Sequence, residues 1–368
     1  MKEKLIDMRY EKKEQLRWIN CVKMVAIFAV LTDHTFGVLY ENSMIVETSF
    51  FSVSLFVLIS GITSYISNSR SELNWWRAYL RSIKSILVAY LISTAIYLIL
   101  KEHAFNFNSY IKCIFHFNAS GPLYYVALYL QLMLTSRILF KILEKCSEYK
   151  YSWIIEILVA FLILGIAAYT TNRTQILDIY GGGGKLLGGT YLFLYYFGMV
   201  VAKEGWIDKK SNKANIAIWL CSSIGCFYWW AYIVKNRMRL DSLFPFGDGK
   251  NPPSITFMVF AILILFAVFA FCTLLEQNKY TDKVLDWGAW IGTHTLYIFM
   301  YHGIFLDYFA NKYFIIEYIW LKRIIYILMM IAISIVVEYI VNNMLKLCKT
   351  CLSVFVEKVK CIKRENAD

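Results

Sequence analysis

Long apolar runs separated by short polar or basic stretches set the pattern of this chain. Ten runs approach or reach the ~17–25 residues that cross a bilayer as a helix. They span Trp18–Tyr40, Ser49–Ile66, Ser85–Leu100, Pro122–Phe140, Tyr151–Tyr169, Gly188–Ala202, Ala214–Val234, Ser254–Leu275, Trp287–Ile304 and Ile324–Leu345. The sixth is the weakest, being short and led by glycine. Outer-membrane strands alternate in polarity over about ten residues, and these runs do not alternate. The pattern therefore predicts an all-α, polytopic transmembrane bundle of about ten spans. No heptad, internal repeat or separate soluble domain interrupts it. The expected organisation is a polar N-terminal segment at 1–17, a membrane domain at 18–345 and a basic tail at 346–368.

Composition agrees: 59% of the residues are apolar, only 17% are charged, and the mean hydropathy of +0.51 excludes an ordinary soluble protein. The net charge of +12 acquires meaning from its placement. With the N-terminus inside, cytoplasmic segments carry 25 Lys and Arg against 11 on the opposite side, Lys23 and Arg137 falling within spans. The positive-inside rule then puts both termini in the cytoplasm, as an even number of spans also requires. This use of the basic excess makes nucleic acid a poor partner and the lipid bilayer the expected one.

Nine cysteines, an odd number scattered through apolar or basic stretches, argue against a disulfide framework. Cys348 and Cys351 form a lone C-x-x-C with no second pair or nearby His, so no metal site is expected. The first run follows a segment that is polar through Arg17 and lacks a small-residue cleavage pattern, so it reads as a retained helix rather than a signal peptide. Sequons at Asn118 and Asn172 decide nothing without a known compartment. The Gly181–Gly184 run lacks the G-x-x-x-x-G-K-[ST] pattern of a phosphate loop and reads as a flexible connection on the outer side.

Ionisable residues at depth are the informative ones, because they are unfavourable in lipid and usually face a bundle interior. Lys23, Asp33, His34, Glu156, His294, His302 and Glu338 are such residues. Lys23 and His34 are eleven positions apart, about three helical turns, and share a face with Asn20, Ile27 and Val30. That stripe is expected to face a cavity. Span nine runs back from inside to outside and carries His302 to the depth of His34, about 24 Å above Trp18. The two imidazoles are expected to meet near the outer surface. A membrane-embedded His can merely bond a neighbouring helix, worth about 1 kcal/mol, but a neutral imidazole near pH 7 is also suited to act as a general base. Lys23 alternatively snorkels to the inner interface. On the cytoplasmic side, Arg77, Arg81 and Lys84 lie at i, i+4 and i+7, so on a helix they project from one side into the headgroup region. The row reads either as positive-inside anchoring, helped by Trp75 and Trp76, or as a grip on the phosphates of a nucleotide-like substrate.

Several of these residues carry a resemblance. The segment RWINCVKMVAIFAVLTDH is similar to the opening signature of the integral-membrane acyltransferase 3 family, in which a basic residue and W-I-D precede a Lys and a His at the end of the span. Here those positions are Arg17, Trp18, Ile19, Asn20, Lys23 and His34. The resemblance continues through SLFVLISG ending at Ser60 and Gly61, the basic pair Arg81 and Lys84, GPLYYVALYLQLML, and TLYIFMYH with Tyr297 and His302. Asn20 stands where the family has Asp, Lys84 stands for the second Arg of its basic pair, and the proline usual after that pair is missing.

The resemblance implies transfer of an acyl group, usually acetyl from acetyl-CoA, to a hydroxyl of a cell-surface polysaccharide or a lipid-linked sugar precursor. It makes His34, His302 and Lys23 the candidate catalytic residues. Arg81 and Lys84, with Arg77 added by spacing, become the candidate binders of the CoA phosphates. A Lys-, Ile- and Asn-rich composition is that of an AT-rich bacterial genome, which makes a bacterial plasma membrane the expected location. Oligomeric state stays open, as an oligomer is compatible with the pattern. The competing reading is a transporter or exporter of surface polysaccharide, whose intramembrane Lys, His and Glu would line a path.

Overall fold

In the computed structural model the described residues are 2–70, 75–171, 188–208, 211–243, 251–310 and 318–365. Among them the chain is helical and forms no named strand. The helices are α1 (Lys2–His34), α2 (Ser43–Ser49), α3 (Ser52–Arg70), α4 (Trp75–Glu102), α5 (Phe107–His116), α6 (Tyr124–Cys146), α7 (Ser152–Thr171), α8 (Tyr191–Lys203), α9 (Asn212–Leu243), α10 (Ile255–Leu275), α11 (Lys279–Thr293), α12 (Thr295–Ile304) and α13 (Ile319–Glu365). A 3-10 turn, Gly121–Leu123, enters α6, and a π-helical turn, Phe305–Ala310, leaves α12.

Each predicted span overlaps a helix, and among the described residues seven helices are long and apolar enough to cross a membrane. The sixth span differs for a physical reason. Its helix, α8, has only 13 residues, yet Leu194, Tyr195, Tyr196, Met199, Val200 and Val201 are wholly buried. It packs inside the bundle against α3 and α7, so it meets protein where a lipid-facing span would meet acyl chains. The approach to α3 is backbone on backbone: a Cβ on Gly61 would stand 2.0 Å from the Tyr195 carbonyl oxygen, and one on Gly198 would stand 2.2 Å from that of Leu58. Small residues allow this closeness.

The ninth predicted span, Trp287–Ile304, is broken. Residue His294 closes α11 and opens α12, its Nδ1 2.6 Å from Glu338 Oε2 of α13 and its ring 4.9 Å from that of Trp290. Gly292 lets α11 press on α1, since a Cβ there would lie 1.9 Å from the Asn20 carbonyl oxygen. The two halves therefore answer to different neighbours, α11 to α1 and α12 to α13. The first span also ends early: α1 stops at His34, where the Thr35 hydroxyl donates to Leu31 O and the chain turns through Gly37 at φ +78°. The expected loop after span three contains α5, tied to α4 by the Tyr90 hydroxyl, which donates to the carbonyls of Cys113 and Ile114.

Two apolar clusters result. The larger joins α1, α3, α8 and α10 with their neighbours; the smaller joins α4, the start of α6 and α12. Glu156 of α7, wholly buried, is held by Lys203 at the end of α8, which also reaches Glu204. Removing one partner of an enclosed ion pair destabilises by ~3–5 kcal/mol. Because the Lys203 side chain keeps 12% exposure, Lys203→Ala is expected to lower unfolding free energy by a smaller amount, about 2 kcal/mol. Thermal unfolding in detergent measures it, and Lys203→Arg should recover most of the loss. The six described cysteines form no disulfide, while the side chains of Cys348, Cys351 and Cys361 and the whole Gly181–Gly184 run lie outside the described residues.

Candidate active site

At its last turn α1 presents Asp33 and His34, and α12, running alongside, presents His302 in its own last turn. The two imidazole rings lie 4.9 Å apart between centroids and are inclined by 54°. Thus the expected meeting of His34 with His302 occurs, although one residue sits on a helix that stops at that point and the other on half of a broken span.

The surroundings of His302 fix its tautomer. Its Nδ1 lies 3.0 Å from the carbonyl oxygen of Ile298 and 2.9 Å from that of Phe299. Both carbonyls can only accept, so Nδ1 must carry the hydrogen. Nε2 is then the lone-pair nitrogen. It is buried and has no hydrogen-bond partner among the described residues, on a side chain that is itself only 1% exposed. Buried polar atoms are seldom left so, and an exception calls for an explanation, a catalytic role being one. An acceptor nitrogen facing a second imidazole can hold that ring's N–H and leave its other nitrogen to take a proton.

Around His34 lies a cavity of about 150 Å³ lined by Asp33, Ser52, Tyr124 and Asn251 together with Phe50 and Phe299. Hydroxyl, amide and carboxylate groups between aromatic faces suit a polar ligand with several hydroxyls. A second cavity, of about 190 Å³, opens in the seam between the two apolar clusters. Lys23 of α1, Ser60 of α3, Tyr125 and Tyr129 of α6 and Thr295 of α12 supply its polar groups, while Phe56, Ile86, Leu296 and Met300 line the rest. Lys23 thus faces the bundle interior, and the stripe from Lys23 through Val30 to His34 borders both cavities. Phe299 belongs to the wall of each.

Arg77, Arg81 and Lys84 fall on the first turns of α4, as their spacing requires, and all three are exposed. Ile86, two residues beyond Lys84, lines the Lys23 cavity, whereas the exposed basic row is not part of its wall and stands apart from the histidines. Sequence reasoning brought out the histidines, Lys23 and the basic row, and missed Tyr125, Tyr129, Asn251 and Phe299. The i, i+4 spacing of Tyr125 and Tyr129 was the available signal for the first two; Asn251, in a connection, carried none.

Comparison with known proteins completes the picture. The acyltransferase domain of the acyltransferase 3 family matches residues 16–339. The chain belongs to that family. Membership and the apolar helices together make it a multi-pass membrane acyltransferase. The match begins just before Arg17 and ends just past Glu338, so it takes in both histidines, Lys23, the basic row and the pairing of His294 with Glu338. No curated protein and no solved structure matches the chain.

Proposed function

We propose that this acyltransferase moves an acyl group, acetyl in the first instance, from acyl-CoA to a hydroxyl of a cell-surface polysaccharide or its lipid-linked precursor. The observation that carries the reading is the pairing of His34 with a His302 whose Nδ1 is committed as a donor to backbone carbonyls. The acceptor hydroxyl sits in the His34 cavity. His34 takes its proton as the oxygen attacks the thioester carbonyl; the tetrahedral adduct collapses with cleavage of the C–S bond, and the proton passes to the departing thiolate. Oxygen gains the acyl group and sulfur gains hydrogen, so no other reactant is required. In the reacting complex His302 Nε2, unpartnered among the described residues, accepts from His34 and keeps the basic nitrogen of that ring turned toward the acceptor.

The donor enters from the opposite end, which the charge distribution makes cytoplasmic. Arg77, Arg81 and Lys84 hold its phosphates at the cytoplasmic surface. The pantetheine arm lies along the Lys23 cavity, where aromatic and aliphatic walls suit its methylenes and the Ser60, Tyr125, Tyr129 and Thr295 hydroxyls suit its amides. Lys23 places a cation beside the arm. Threading the arm through the bundle in this way removes any need for a covalent relay across a core about 30 Å thick.

Radiolabelled acetyl-CoA supplied to membranes containing the protein should label envelope polymer, whereas an exporter would alter polymer location with no change in acyl content. In the same assay Arg81→Ala is expected to raise the acetyl-CoA concentration needed for half-maximal transfer by about tenfold, the worth of one charge-assisted phosphate contact. The rate at saturating donor should be nearly kept. An unchanged dependence on acetyl-CoA would make the basic row a membrane anchor only.

A further inference from the structure

The two cavities are separate chambers that share one side chain. Phe299 lines the Lys23 cavity and the His34 cavity alike, and it is only 5% exposed. Its ring packs 5.0 Å from Tyr125 and 6.4 Å from Phe56 on the side of the first chamber, and 6.3 Å from His302 on the side of the second. Its backbone is fixed as well, because its carbonyl accepts from His302 Nδ1. The side chain is therefore anchored beside His302 and flanked by two aromatic neighbours on other helices, α6 and α3.

We propose that Phe299 is the seal between the donor and acceptor chambers and the residue that discriminates a sugar hydroxyl from water. The inference rests on the proposed acyl-CoA reading for its chemistry, but the seal itself is a property of the bundle. A ring at this point does two things. It closes the path that would otherwise join the Lys23 cavity to the His34 cavity and carry water through the membrane domain. It also excludes water from the thioester until an acceptor occupies the outer chamber, which suppresses the side reaction of hydrolysis. In that reaction water attacks the thioester carbonyl, the C–S bond breaks, and acetate and free CoA leave, the proton passing through His34 to sulfur. Aromatic contacts of this kind are individually weak, so an acceptor settling in the outer chamber can turn the ring aside without disturbing α12, whose backbone carries His302.

The test uses the full-length protein reconstituted in liposomes, as wild type, Phe299→Ala and Phe299→Leu, with two measurements. The first is proton entry reported by a pH-sensitive dye trapped inside; the second is CoA release from acetyl-CoA with no acceptor added. Phe299→Ala is expected to speed both by about tenfold over wild type, and Phe299→Leu, which refills most of the volume, to stay close to wild type. Adding His34→Ala to Phe299→Ala should abolish the extra CoA release and leave the proton entry high. Should Phe299→Ala fail to assemble, Phe299→Val is measured in its place and carries the same expectation. Wild-type rates for both measurements in a correctly assembled Ala or Val variant overturn the seal. Fast proton entry with no CoA release from any variant upholds the seal and instead removes acyl-CoA as the donor.

Discussion

Replacing His34 by alanine is expected to reduce acyl transfer by at least about a thousandfold, toward the upper end of what a general base contributes, with no loss of membrane-inserted protein. The second half of that expectation follows from where the ring sits. His34 is an exposed residue at the end of α1, where the backbone is already turning, and its side chain borders a cavity. Its removal leaves the packing of Val22, Ala26, Ile27 and Leu31, all wholly buried on the same helix, untouched. His302 calls for a finer substitution, because it is buried and bonded to its own helix. Asparagine places an amide nitrogen near the position of Nδ1, able to donate to the Ile298 and Phe299 carbonyls, and offers nothing in place of Nε2. His302→Asn is thus expected to fold normally and to lose about a hundredfold in activity. Transfer assays on purified protein, read beside thermal unfolding of the same samples, check both. Full activity in His302→Asn would mean that Nε2 plays no part and that the histidine serves packing alone.

The contrast between these residues and the rest of the site explains what could be read from the chain without coordinates. His34 and His302 were legible because a helix converts sequence distance into depth: residues counted from opposite ends of antiparallel spans give comparable heights. Lys23 was legible for the same reason, three turns below His34 on the same face. Phe299 was not. In a chain with 26 phenylalanines, nothing marks one ring as the boundary of two cavities. Asn251 likewise reaches the His34 cavity from a connection, by the path of the backbone rather than by any period. The break at His294 escaped because its partner, Glu338, lies 44 residues further on, and hydropathy summed along the chain has no access to such a contact. Hydropathy did mark α8 as weak. It gave no hint that a short helix could be weak as a span by being central, with a buried tyrosine pair at Tyr195 and Tyr196 where a lipid-facing helix would carry aliphatic side chains.

The central position of α8 leads to the largest expected effect on folding. Gly61 and Gly198 face the opposite helix so closely that neither site has room for a methyl group: the nearest atoms are backbone carbonyl oxygens, 2.0 and 2.2 Å from where a Cβ would stand. A backbone atom cannot swing aside as a side chain can, so relief requires α3 and α8 to move apart as bodies. Separation would strip contacts from Leu55, Leu58, Ile62, Leu194 and Met199, each wholly buried in the larger apolar cluster. Overpacking in a core typically costs about 1–3 kcal/mol when neighbours can adjust; here the loss of packing along a whole interface adds to it, and Gly61→Ala is expected to exceed that range. Ser60, the preceding residue, lines the Lys23 cavity, so a displaced α3 would also move the wall that faces Lys23. The expected outcome for Gly61→Ala is a steep fall in folded protein recovered from detergent, seen as loss of the monodisperse peak in size-exclusion chromatography. The surviving fraction should unfold at lower temperature and transfer acyl groups poorly. Gly165, on α7, has nothing within 4 Å of its Cβ position, so Gly165→Ala supplies the control and should leave recovery unchanged. Equal recovery of Gly61→Ala and Gly165→Ala would show that the two helices meet less closely than their glycines allow.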